Sequence, residues 1–183
     1  MADKKVSILE NLGAVVQAQS QTVTNILAGI NVPVGNIQGP VTKAKDGIAI
    51  GATDSAGSVY RILNVRSDAI IDVLEVLNTA QAGSTAFTIG VHNTIPNGGA
   101  ALNASLFGSV DLSVVRTGST GRFNARYNGS AGLATMGQPL WSVLGLTLDP
   151  NCTYDIVLTS VTQGTAGGQV NLIAEMTYFG WQS

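Results

Sequence analysis

Cysteine, histidine and charge are all scarce in this chain, and each shortage removes a class of function. The sole cysteine, Cys152, rules out an intrachain disulfide and any cysteine-based zinc site within one copy. A small buried hydrophobe is its expected role. His92 is the sole histidine, on an apparent strand beside Asn93 with no metal-ligand neighbour at useful spacing. Ser/His/Asp catalysis would have to recruit it, and no G-x-S-x-G elbow accompanies it, so a structural role is expected. Only 11% of residues are charged and the net charge is -2, which gives no general drive toward nucleic acid or anionic membranes. Such a surface is weakly solvated and better accommodated when part of it is covered in an assembly. No run approaches the ~18 apolar residues of a membrane span. Lys4 and Lys5 precede a stretch broken by Glu10, Asn11 and Gln17, not a signal-peptide core, so cytosolic synthesis without an export address is expected.

Other reactive constellations are also missing. The carboxylates Asp54, Asp68, Asp72, Glu75, Asp111, Asp149, Asp155 and Glu175 are scattered. Asp72 and Glu75 have opposite strand parity and are predicted to face apart, which prevents them from sharing a proton or a sugar. No D-x-D-x-D loop signals calcium, and no P-loop or G-x-G-x-x-G follows a strand. Asn103, Asn128 and Asn151 stand in N-x-S/T contexts that read as chance matches. The expectation is a protein with no catalytic residues, no cofactor and no metal.

What the chain does have begins with residues 6–30, VSILENLGAVVQAQSQTVTNILAGI. Leu9, Val16, Val23 and Ile30 fall at heptad a positions, and Leu12, Gln19 and Ile26 at d. Ser7 and Glu10 form a capping box, and Gly29 with Pro33 supplies a stop. A helix over about Ile8 to Ala28 would be roughly 30 Å long. An amphipathic helix near a terminus often packs on its own domain. Here β-branched residues at a, a lone polar Gln19 at d, and a stripe widened by Ile8, Val15 and Leu27 point instead to a trimer or to docking on another protein.

Residues 31–47, with Pro33, Pro40 and three glycines, read as an extended connector, with a boundary near Gly39-Pro40: arm and connector over 1–39, β domain over 40–183. Beyond it the apolar period changes from helical to two. Ile48 and Ile50 predict a short strand. In SVYRILNVR, Val59, Arg61, Leu63 and Val65 alternate with Tyr60, Ile62, Asn64 and Arg66. AIIDVLEVLN reads as an apolar strand. AFTIGVHN alternates Phe87, Ile89 and Val91 against Thr88, Gly90 and His92 before the turn Asn97-Gly98-Gly99. AALNASLFGSVDLS fits a short helix or a strand pair, and a partly helical connection is the expectation. Residues 116–137 form a long Gly-rich excursion around a short strand at Phe123 to Tyr127. LWSVLGLTL, TYDIVLTSVT and QVNLIAEMTYFGW are then predicted strands, the last two joined by GTAGG as a hairpin. About eight strands at regular spacing give an all-β, jelly-roll-like antiparallel sandwich with an N-terminal α-helical, coiled-coil-like arm.

Arg116, Arg122 and Arg126, with Phe123 and Tyr127 among them, make the local basic-aromatic cluster. It reads either as an ordinary solvated loop or as a docking loop, since arginine and aromatics dominate interface anchors. Nucleic acid suits three arginines on an acidic chain poorly.

The segment from Ala69 to Ser113 closely resembles jelly-roll decoration (cement) proteins of tailed bacteriophage capsids. Gly90-Val91, Gly98-Gly99-Ala100, Ala104, Leu106-Phe107 and Asp111-Leu112-Ser113 carry the resemblance, and TYDIVLTSVT…GGQVNLIAEMTYFG is also similar. It spans roughly Val59 to Gly180 and leaves the helical arm outside. The resemblance implies a structural virion protein that sits on the outer capsid surface and bridges neighbouring major capsid protein subunits. Trimers gathered by the arm would suit the symmetric junctions of the lattice. The competing expectation is a head-fibre or tail-associated jelly-roll module that binds host glycan through the 116–137 loop.

Overall fold

The computed structural model describes residues 41–79, 81, 86–117, 123–162 and 164–178. The heptad positions Leu9, Leu12, Val16, Gln19, Val23, Ile26 and Ile30, and the boundary near Gly39-Pro40, lie outside them. The period-two patterning folds as expected into two antiparallel sheets packed face to face. One sheet has the order β1-β9-β3-β7, from β1 (Thr42–Ile50), β9 (Gly168–Tyr178), β3 (Ala69–Asn78) and β7 (Phe123–Asn124). The other runs β2-β8-β4-β5, from β2 (Val59–Arg66), β8 (Thr153–Thr162), β4 (Ala86–Asn93) and β5 (Ala101–Asn103); β6 (Ser109–Asp111) also pairs with β4.

Inward residues of both sheets make one core. Phe87, Ile89 and Val91 of β4 are fully buried, as their alternation predicts, and meet Leu74 and Val76 of β3, Ile156 and Leu158 of β8, and Val170 and Leu172 of β9. Leu106, Phe107, Val110 and Leu112, between and around β5 and β6, fill the same core.

Several expectations are corrected. Alternation in β2 does not run unbroken: the register shifts between Arg61 and Leu63, so Tyr60 and Ile62 point inward before the shift, and Leu63 and Val65 after it. A bulge changes phase because its extra residue opposes no partner. The same device lies between Ile71 and Val73 of β3, so parity counted from Asp72 to Glu75 does not show that they face apart. The first strand starts at Thr42, inside the expected connector. As an edge strand it keeps much of its length in solvent, and Lys43 pairs there with Glu175 at 2.8 Å, so polar residues that resemble a linker are compatible with strand.

AALNASLFGSVDLS is not helical but two short strands around a turn. Asn103 Oδ1 accepts from the Ser105 amide and Gly108 takes φ 79°. LWSVLGLTL is not a strand. Pro139 leads into a single helical turn, α1 (Leu140–Val143), which Gly145 at φ 78° ends. The expected strand at Phe123 to Tyr127 is confined to Phe123–Asn124. GTAGG does not close a hairpin either, because β8 and β9 belong to opposite sheets and the segment crosses between them.

Gly90 marks a close approach on the second sheet: a Cβ there would stand 2.4 Å from Ala104 C and Asn103 O. Gly90→Ala is expected to lower stability by about 1–3 kcal/mol, read as a lower urea midpoint. An unchanged midpoint would mean that the Asn103–Ala104 backbone yields freely.

Candidate functional site

Two arginines of the 116–137 excursion turn out to be structural. Arg126 is 1% exposed, and its guanidinium donates to the carbonyls of Ile71, Ala131 and Thr135, the last two at 2.9 and 3.1 Å. Thr135 Oγ1 accepts a further bond from Arg126 at 3.3 Å and donates to the Ala131 carbonyl. Burial lowers the guanidinium pKa. Carbonyls of an irregular segment have no ladder to join, and one buried fork of donors satisfies several together. Arg116 is half-buried, bonds the carbonyls of Asp111 and Val114, and lies 5.4 Å from the centre of the Phe123 ring. Tyr127 is half-buried beside Arg126, and Arg122 lies outside the described residues. The cluster is therefore not a free basic surface: Arg126 is withdrawn from solvent and is corrected as a capsid-contact candidate, while half-buried Arg116 bonds carbonyls of its own fold through Nη1.

A second polar centre covers the outer face of the β2-β8-β4 sheet. Arg61 pairs with Asp155 at 2.6 Å and donates to the carbonyls of Asn93 and Gly99 at 2.8 and 2.7 Å, strapping the loop after β4 onto the sheet. Asn64 Nδ2 donates to the other Asp155 oxygen at 3.0 Å. His92, opposite Asp155 in register, is buried beneath this strap, and its Nε2 meets no hydrogen-bond partner. Burial, and then the nearby Arg61 charge, lower its pKa. Cys152 is half-buried against the core, its amide donating to Ser67 Oγ.

One surface was missed by looking for reactive residues. From Tyr127 to Leu148 the sequence contains no Asp, Glu, Lys or Arg. Along it Leu133, Met136, Leu146 and Leu148 are 70%, 61%, 40% and 79% exposed. The segment is fixed to one end of the sandwich. Arg126 ties it to Ile71 of β3, the Trp141 amide donates to the Ser67 carbonyl, and Ser67 Oγ donates to Asp149 at 2.5 Å. The sequence signal was this gap in charge. Among the described residues no group of three or more His, Cys, Asp or Glu could hold a metal ion, and no helix is long and apolar enough to cross a membrane.

The class these observations define is a two-sheet antiparallel β-sandwich with apolar surface at one end. No family model matches the chain, and no curated protein matches it. Among solved structures it is similar to a chain of the cyanophage Pam1 capsid asymmetric unit, at 14% identity and a TM-score of 0.50 over 81% of this chain and 92% of that one. The capsid of Ralstonia phage GP4 matches at 12% identity and a TM-score of 0.46, over 82% and 92% of the two chains. The acid-stable capsid of Helicobacter pylori bacteriophage KHP30 matches at 10% and 0.41, over 76% and 90%. The Pam1 likeness is one of fold.

Arg126→Met would take its donors from the carbonyls of Ile71, Ala131 and Thr135, of which the last two keep Thr135 Oγ1 and the Gln138 amide, and its expected cost is about 1–3 kcal/mol, with a smaller loss for Arg116→Met, both read by urea unfolding. Equal, negligible losses would return Arg126 to the surface. His92 gives a pH dependence. Its folded pKa lies below the unfolded value, so the unfolded state binds more protons, and stability present above the ordinary histidine range is lost as pH falls through it. His92→Gln is expected to flatten the decline in urea midpoint between about pH 7 and pH 5. An equally steep decline in the variant would assign the effect elsewhere.

Proposed function

We propose that this protein is a structural component of a bacteriophage virion. It decorates the outer surface of the head, bridges major capsid protein subunits there, and performs no catalysis. The observation that carries the reading is the strand order. β1-β9-β3-β7 facing β2-β8-β4-β5 is the connectivity of a jelly roll, and the fold is shared over most of its length with a chain from a phage capsid asymmetric unit. The low charge and the exposed apolar end agree with a life in an assembly.

The arm supplies valency. In this reading Leu9, Leu12, Val16, Gln19, Val23, Ile26 and Ile30 line the seam of a homotrimer, and three tethered domains hold the shell with an avidity none has alone. Contact with the shell falls to Arg116, Arg122, Phe123 and Tyr127, with Arg126 buried behind them.

Light scattering on the full-length protein should give three times the chain mass of 18.8 kDa, and removal of residues 1–30 should reduce it to one. The protein should co-sediment with heads that lack it. An oligomer of unchanged size after truncation would end the role of the arm, and failure to bind heads would end the decoration reading.

A further inference from the structure

The apolar end of the sandwich is also the end at which the chain enters it. Thr42, the first residue of β1, pairs with Met176 of β9, which pairs in turn with Ile71 of β3. These three residues form one row across the sheet, and Arg126 bonds the carbonyl of that same Ile71. The segment carrying Leu133, Met136, Leu146 and Leu148 is thus anchored at the row where the strand fed by the N-terminal 41 residues begins.

Covalent geometry then limits the possible neighbours. Between the last heptad residue, Ile30, and Thr42 the chain can span at most about 40 Å. If the seams of several copies run parallel, as proposed above, every copy's entry point is confined near the same end of the bundle. The parts of the sandwiches brought closest are then their entry ends, where the uncharged segment 127–148 exposes apolar side chains and the charges nearby, Lys43 with Glu175 and Arg66 with Asp68, are paired within the fold. Like-charge repulsion would oppose such a meeting of identical surfaces in most proteins; here nothing from Tyr127 to Leu148 is charged. Closed symmetry uses the same patch on every copy.

We propose that this end, centred on Leu133, Met136, Leu146 and Leu148, is a second interface between copies of the chain, in addition to the arm. The proposal rests on the arm gathering the copies. The contact fixes the sandwiches about their common axis and leaves the opposite end, with the β1–β2 and β8–β9 connections, facing outward from it.

The test uses the full-length protein carrying a benzophenone amino acid in place of Leu148. Irradiation followed by peptide mass spectrometry should yield a covalent dimer joined through a peptide within residues 127–148 of the other copy. A dimer joined elsewhere, or no dimer from protein whose scattering mass is still oligomeric, overturns this interface while leaving the arm intact. A monomeric mass overturns the arm and this interface together. Irradiation of assembled heads that joins Leu148 to a different shell protein also overturns it, because the end would then face the shell. The double variant Leu133→Glu/Leu148→Glu changes only exposed positions. It should weaken association at least tenfold by sedimentation equilibrium, and an unchanged constant counts against the proposal.

Discussion

Among the described residues no two long strands that follow one another in the chain hydrogen-bond to each other, and the rest of the structure follows from that constraint. β1, β2, β3 and β4 alternate between the sheets, as do β8 and β9; the extended ladders are β1 with β9, β9 with β3, β2 with β8, and β8 with β4. Each joins segments far apart in the chain, so no ladder can form until distant segments meet. What brings them together is the apolar interface, in which Phe87, Ile89, Leu74, Val76, Ile156, Leu158 and Leu172 are wholly withdrawn from water. Loop closure has to be met before those contacts reward it, which is the kinetic signature of high contact order.

The same constraint separates what the sequence could reveal from what it could not. β3, β4, β8 and β9 were legible because a buried face forces its pattern on the residues whatever their partner. Their pairing was not legible, because periodicity records which face is wet and says nothing about which strand lies alongside. A glycine-rich link between two good strands therefore looked like a hairpin at 164–168, where the chain instead crosses between sheets. Bulges defeat the pattern differently: one unpaired residue near Ile62 reverses the phase of everything after it in β2. Edge position hid the start of β1, since a strand bonded on one side tolerates Lys43, Lys45 and Asp46.

The irregular stretch between β7 and β8 shows why residue type alone misled. Arginine beside aromatics is a fair signature of a surface anchor, yet the need of a loop for internal donors can claim the same side chain. Arg126 serves that need, and with it a segment of a turn and one short helix becomes a fixed end of the domain. Holding the backbone in place is what allows Leu133 and Leu148 to stay presented to solvent, since a floppy loop would fold its leucines back against the nearest apolar surface.

A protein that binds a regular lattice gains more from repetition than from any one strong contact. Weak apolar surface, little charge and a tether are enough when three copies arrive together, because after the first domain lands the others search a small volume. The benefit depends on the copies being mutually arranged: a loosely tethered set rarely matches several sites at once, while a set held by two interfaces can. The arm alone, joined through a connector of proline and glycine, controls number but leaves orientation loose. An uncharged apolar segment carried on the rigid sandwich itself would supply the orientation. Copy number and geometry would then be set by separate parts of the chain, one by heptad chemistry and the other by an arginine-braced loop.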